Sequence, residues 1–463
     1  MISSRIPSCA LLACASLSLG APRAASADVE LDAGWGASGR TIVPFDFTTN
    51  GADVAAGSAL GSGGEMYIAG TVTDANGRRR IGLTKLRADG LVDEAGFGTL
   101  GRATSPDDFG ESEGGAGVVL RGDVLYVGGT RQLGEAGSDF ALCAFTLGGV
   151  PKPFEHTGTP CLSVSFDEKE SISYDVATAI AVQPDGHVVL AGSSATDGDL
   201  QSTDAAFARF EPSGALDSKF APDESGKLRL RSPGFDRHEI ESIAVAANGK
   251  LVAVGATRRS GQIQYDALVV RLDPKGNADT NGFAQECAFA ATQPGLATKL
   301  RGLVLREAQQ GDDRIVAVGA AQYDMLGRYA ALITEVSPDG CSLKDTFAEG
   351  GYLLMQADSG QLYFNAVAHD AGAGYVVAGD FETMMGGAEV FAAHYYGTDW
   401  LQFPTMHFGQ SSKDWLVDVH VHAGSIYIAG WTQGAGSNRD FAAAKFGLDR
   451  IFADGFGDPV GDP

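Results

Sequence analysis

Short apolar runs, five to eight residues long, recur along this chain between glycine-rich polar breaks, and seven of them end in glycine. They read MYIAG to Gly70, LYVGG to Gly129, VVLAG to Gly192, LVAVG to Gly255, IVAVG to Gly319, YVVAG to Gly379 and IYIAG to Gly430. The spacings are 59, 63, 63, 64, 60 and 51 residues. Each run is rich in Val, Ile and Tyr, the residues that suit a buried strand. A second pattern shares the period: an aromatic residue in a turn, at Trp35, Phe97, Phe154, Phe220, Phe283, Phe347, Phe408 and Phe456. A third is a strand that follows the glycine, as in 139–145, 204–210, 266–272 and 440–446. Three patterns on one period define a repeat.

The third repeat shows the unit most clearly. Residues 177–183 predict a strand, and Pro184-Asp185-Gly186 a turn in which proline fixes φ and glycine supplies a positive one. A second strand follows over 187–192, a third over 204–211, a turn at Pro212-Ser213-Gly214, and a fourth strand over 227–231. Four short antiparallel strands, seven times over, predict an all-β, seven-bladed β-propeller. The phase starts inside a unit, because residues 31–47 carry a turn and a fourth strand while the C-terminal repeat supplies only strands one to three. The N-terminal strand, 40–47, is therefore expected to close the last blade, with Trp35 packed and the Phe456 tail frayed. The propeller is expected over 28–457, followed by a tail at 458–463.

The run 180–192, followed by 204–210 and Gly214-Ala215-Leu216-Asp217, resembles the bacterial delta-60 repeat proteins. The resemblance covers about residues 31–457. It implies a β-propeller-like fold, commonly in surface or exported proteins, and no settled activity. Repeats two, six and seven depart from it, lacking the Pro-x-Gly turn after the third strand.

Composition adds an address and a charge. Residues 1–27 have a basic start, an apolar stretch at 9–20 and the small-residue site Ala25-Ser26-Ala27, as in a secretory signal peptide cleaved before Asp28. A lipoprotein box at 11–14 is the rival and leaves a very short signal. Cleavage implies a secreted or periplasmic protein. The net charge is −24, and loss of two arginines and no acids with the signal makes it −26. Such a surface repels nucleic acid and anionic membranes, and no later segment is apolar enough for membrane insertion. A monomer is expected. Of the four cysteines left, Cys143–Cys161 with Cys287–Cys341 is the sequence-local disulfide pairing for an oxidising compartment.

No nucleophile elbow, zincin, P-loop or EF-hand motif occurs. One constellation carries candidate chemistry: Asp418, His420 and His422 alternate along one predicted strand and so share a face, where a divalent metal such as Ca²⁺ or Zn²⁺ is conceivable. Polar decoration of a channel mouth is the competing explanation. A charge near the end of strand three (Lys85, Arg209, Arg271 and Lys445, with Glu335 and His394 at comparable places) is expected to pair with a turn aspartate such as Asp217 or Asp279 rather than to ring a ligand. Acidic loops at 107–113 and 197–199 lack regular ligand spacing. The chain thus reads as a scaffold without a cofactor, presenting loops to a protein, glycan or small ligand. The alternative is a propeller lyase or hydrolase with a metal in its channel.

Overall fold

The computed structural model describes residues 30–447, except 46–50, 107–108, 111, 168–171, 196–200, 280–285, 290–295, 307–312, 337–346, 348–350, 371–373, 385, 396–399, 403–404, 410–412 and 435–437. The signal segment, Phe283, Cys341 and Phe456 thus lie outside the described residues.

Strands dominate. The first, β1 (Arg40–Val43), precedes repeat 1, built from β2 (Val54–Leu60), β3 (Met66–Thr73), β4 (Arg79–Leu86) and β5 (Arg102–Thr104). Repeat 2 comprises β6 (Ser112–Arg121), β7 (Val124–Gln132), β8 (Gly137–Thr146) and β9 (Cys161–Val164). Repeat 3 has β10 (Ser173–Val182), β11 (Val188–Ala195), β12 (Asp204–Phe210) and β13 (Lys227–Leu230). In repeat 4 these are β14 (Phe235–Val245), β15 (Leu251–Arg259), β16 (Tyr265–Leu272) and β17 (Glu286–Phe289). Repeat 5 contains β18 (Thr298–Arg306), β19 (Arg314–Gln322), β20 (Tyr329–Val336) and β21 (Tyr352–Met355). Repeat 6 follows with β22 (Gln361–Asp370), β23 (Gly374–Glu382), β24 (Ala388–Tyr395) and β25 (Trp400–Gln402). Repeat 7 supplies β26 (Asp414–His422), β27 (Ser425–Gln433) and β28 (Arg439–Gly447). The one described helical turn is a three-residue 3₁₀ segment, Gly134–Ala136.

The fold is an all-β propeller. Its sheets differ from seven separate blades: five are separate four-stranded sheets, and repeats 2 and 3 share one eight-stranded sheet. The join is short, with Gly137 and Ser138 of β8 running parallel to Ser173 and Tyr174 of β10. Its physical cause is Gly137, where a Cβ would stand 1.8 Å from the Ser173 carbonyl oxygen. Without a side chain there, the neighbouring backbone comes close enough to bridge. In the sheet of repeat 7, β1 pairs antiparallel with β28, from Arg40 opposite Ala444 to Val43 opposite Phe441.

Buried apolar side chains form seven clusters among the described residues, each spanning two consecutive repeats or, in one case, repeats 7 and 1. That last cluster gathers Trp35, Val43 and Met66 with Tyr427, Ala429 and Phe441. The core therefore sits between sheets, face to face.

The two sequence registers have separate physical causes. Each register glycine lies opposite the residue just before a β-bulge in the first strand of its repeat, as Gly192 opposite Ala177 and Gly255 opposite Ile240. The bulge pushes a carbonyl against the second strand, so a Cβ on any of the seven would stand 1.8–2.4 Å from it. Their φ values are ordinary; close approach excludes a side chain. The turn aromatics act between repeats. Trp35, Phe97, Phe154 and Phe220 pack under Gly90, Gly149, Gly214 and Gly276 of the next repeat, each a positive-φ turn glycine. Backbone bonds seal the contact, as from Ala221 N–H to the Lys275 carbonyl at 2.8 Å.

Candidate functional site: the bulge-lined cavity and the Asp418 cluster

A classic bulge adds one residue to one strand and re-aims its side chain. Here each first strand carries one such residue: Ala56, Ala116, Thr178, Glu241, Arg301, Asn365 and Val417. All seven line one cavity of about 180 Å³. The cavity lies among the first strands of the seven repeats. Sequence reasoning missed these residues, although they lie thirteen or fourteen positions before the register glycine in six repeats and eighteen before it in the fifth.

The ring is two-sided. Repeats 3 to 6 contribute Thr178, Glu241, Arg301 and Asn365, whereas repeats 7, 1 and 2 contribute Val417, Ala56 and Ala116. Thr178 spends its hydroxyl on the Ile240 carbonyl. Asn365 receives Arg301 Nη1 on its Oδ1 at 2.6 Å and donates to Asp380 Oδ2 at 2.5 Å and to the Leu416 carbonyl at 3.0 Å. The Arg301 guanidinium also lies 4.8 Å from the centre of the Tyr363 ring. Asp380 sits directly after a register glycine, where repeats 1 and 2 have Thr71 and Thr130. All three accept a hydrogen bond from the backbone N–H before the next repeat's bulge: Gly115, Ala177 and Leu416. Burial pushes the Asp380 carboxyl up to about 7, against the opposing pull of the Leu416 N–H, Asn365 and Arg301. Glu241 lines the cavity and makes no hydrogen bond or ion pair among the described residues. Its side chain is exposed to the cavity, while the protein packed around it raises its carboxyl pKa and the Arg301 charge partly offsets that.

Where strands one and two turn back, Asp418, His420 and His422 line a cavity of about 760 Å³ with His369. The structure brings the first two together on a serine of repeat 1. Ser58 donates its N–H and its hydroxyl to Asp418 Oδ2 at 3.0 and 3.1 Å, and Ser58 Oγ lies 2.8 Å from His420 Nε2. His422 lines the cavity outside this network. Burial acts to raise the Asp418 carboxyl, but His420 and Ser58 outweigh it and hold the group below its usual value. Burial likewise opposes charge on His420, and Asp418 prevails, raising the imidazole. A Ser–His–Asp relay needs the carboxylate on Nδ1, whereas Asp418 and Ser58 both meet Nε2. Among the described residues no three His, Cys, Asp or Glu side chains are placed to hold a metal ion.

The strand-three charges are scaffold. Lys85 pairs with Asp93 at 2.9 Å, Arg209 with Asp217 at 2.8 Å, Arg271 with Asp279 at 2.7 Å and Lys445 with Asp32 at 2.8 Å. The reversed sign at Glu335 is met by Arg314, at 3.8 Å, and His394 approaches Asp370 at 3.4 Å. Of the acidic loops, Glu113 is buried on Arg80 at 2.9 Å, while Asp107, Asp108, Glu111, Asp197 and Asp199 lie outside the described residues. Cys143 and Cys161, register partners on β8 and β9, form a disulfide.

Three segments, 63–95, 183–220 and 246–281, match the family described as "Domain of unknown function (DUF5122) beta-propeller". The chain carries β-propeller repeats. The matched segments hold the strand–turn–strand and turn chemistry of repeats 1, 3 and 4. No curated protein matches the chain in sequence. Among solved structures, Drosophila semaphorin 2a is similar at 10% identity over 84% of this chain and 73% of that one, with a TM-score of 0.46. A polysaccharide lyase, an ulvan lyase, is 10% identical over 70% and 81%, with a TM-score of 0.36. An α-L-arabinofuranosidase of Fusarium graminearum is 11% identical over 70% and 90%, with a TM-score of 0.40. No described helix is long and apolar enough to cross a membrane.

Proposed function

We propose that the chain is an exported, seven-bladed propeller that acts as a binding scaffold, docking a partner protein on the loops between strands two and three of repeats 4, 5 and 6. The eight-stranded sheet is then two blades touching at Gly137, and β1 completes the seventh blade. Support for the ring comes from the Lys445–Asp32 pair, which repeats the Lys85–Asp93 geometry with a turn from the other end of the chain. Support for export comes from the disulfide, which persists in an oxidising compartment.

The observation that carries the binding role is apolar exposure. Ile263, Met325, Leu326 and Met384 are 79–88% exposed, and they occupy corresponding loops of three consecutive repeats. Tyr265 and Tyr329 begin the third strands beside them. We read exposed apolar side chains repeated on the same loop of consecutive repeats as an interaction site, and methionine adapts to varied partners. Charge selects the occupant. The chain carries 58 acids against 34 Lys and Arg, so two copies repel, and a partner with an apolar patch in a basic surround is complementary.

The test compares wild type with Met325→Lys/Leu326→Lys in co-purification from the native exported fraction. The reading expects a basic protein that is bound by wild type, released by salt and lost with the variant. A variant that retains every wild-type interactor overturns it. So does a wild type that sediments as a dimer which the variant dissolves, since the occupant is then a second copy.

A further inference from the structure

The bulge-lined cavity has an unspent pair of opposite charges. Thr178 and Asn365 have committed their polar groups within the ring. Two of the bulge residues keep charged groups available to a ligand. Arg301 has five N–H donors and gives one to Asn365. Glu241, on the neighbouring first strand at the same bulge position, makes no hydrogen bond or ion pair among the described residues, although the two belong to adjacent repeats. The other five bulge residues are uncharged, Ala56, Ala116, Thr178, Asn365 and Val417, and Asp418, which also lines the cavity, is engaged by Ser58 and His420.

Arg301 is held in place. Asp380, only 3% exposed, is fixed by the Leu416 N–H. It takes the Asn365 amide, and Asn365 in turn presents its oxygen to Arg301. The Tyr363 ring supports the guanidinium from one face. Such a relay of hydrogen bonds pre-orients a cation and lowers the cost of ordering it when a ligand arrives. Arg301 offers a planar fork that fits a carboxylate, and the Glu241 carboxylate is the complementary partner for an ammonium. Opposite them, Ala56, Ala116 and Val417 offer a small apolar wall. The volume, about 180 Å³, is below that of pockets for drug-sized ligands.

We propose that the bulge-lined cavity binds a small amino-acid-like zwitterion, its carboxylate on Arg301, its ammonium on Glu241 and its short carbon body against Ala56, Ala116 and Val417. Arg301 and Glu241 contact the ligand, while Asn365 and Asp380 are positioning residues. The site is independent of the loop surface proposed above.

Calorimetric titration of the purified mature protein tests this with glycine, 4-aminobutanoate and 6-aminohexanoate, which span the charge separation. Butanoate and butylamine serve as singly charged controls. One zwitterion is expected to bind 1:1, at least tenfold more tightly than either control. Arg301→Gln and Glu241→Gln are each expected to weaken it at least tenfold. Ala116→Leu leaves both charges in place and fills the apolar wall, so it should also abolish binding and serves if a charge variant fails to fold. The proposal is overturned if no zwitterion exceeds butanoate, or if folded variants bind as wild type does.

Discussion

Gly255 faces the carbonyl oxygen of Glu239 so closely that a Cβ on it would stand 1.9 Å from that oxygen. The glycine is the counterpart of the bulge that turns Glu241 into the cavity, so one residue couples the sequence repeat to the cavity lining. Gly255→Ala must therefore push the two strands apart or flatten the bulge. A loss of about 3 kcal/mol is expected, at the upper end for forced overpacking. Gly434→Ala is the control, because its nearest neighbour would be 3.9 Å away and its φ is ordinary. Urea unfolding of the two variants checks the contrast, and equal stabilities would reject the steric account.

Arg80 and Glu113 form a second inter-repeat tie, with side chains 1% and 0% exposed and 2.9 Å apart. Glu113 also accepts from the Ile81 N–H and the Ser105 hydroxyl. Arg80→Met leaves that carboxylate buried without its cation, which costs about 3–5 kcal/mol. Arg80→Met with Glu113→Leu removes both charges and should recover most of the loss. A double-mutant cycle in urea measures it, and additive losses would show that the pair is not coupled.

The strand repeat was legible because each of its marks has one physical cause. Register glycines answer to a carbonyl, the turn aromatics Trp35, Phe97, Phe154 and Phe220 to the next repeat's turn glycine, and strand-three cations to a turn aspartate. Boundaries were less so. In repeat 3, β10 begins at Ser173 rather than 177 and β11 runs on to Ala195, since pairing extends through polar residues that carry no apolar signal. β1 ends at Val43 rather than 47. The bulge residues left no compositional mark, as their side chains face a cavity and not a core. They range from alanine to arginine. Alternation correctly grouped Asp418 with His420, but their partner, Ser58, is 360 residues away, beyond the reach of local pattern.

Trp35, 1% exposed, packs under Gly90 and edge-on to Tyr427, with ring centres 6.3 Å apart. It thus joins residues from both ends of the propeller. Trp35→Ala should cost about 3–5 kcal/mol, as other large aromatic deletions from cores do. Asp32→Asn loosens only a partly exposed ion pair with Lys445 and should cost about 1 kcal/mol or less. Deleting residues 28–48 should lower the melting temperature more than either substitution. An unchanged melting curve for the deletion would refute ring closure by the N-terminal strand.

Asp380 gives stability a pH dependence whose sign can be worked out. Its carboxyl is raised from 3.8 to about 7 in the folded protein. As pH rises through about 4 the unfolded chain gives up this proton while the folded one keeps it, so folding is progressively penalised until pH passes about 7. At about 1.4 kcal/mol per unit, the penalty reaches up to about 4 kcal/mol. Asp380→Thr keeps an acceptor for the Leu416 N–H, as Thr71 and Thr130 do for their own neighbours, and removes the carboxyl. Any fixed cost of the substitution shifts both ends of the range equally. The stability of the variant relative to wild type should therefore climb between pH 4 and 7 and level off above it. Urea midpoints across that range decide the matter, and a difference that stays flat with pH would mean that Asp380 keeps an ordinary carboxylate pKa in the folded protein.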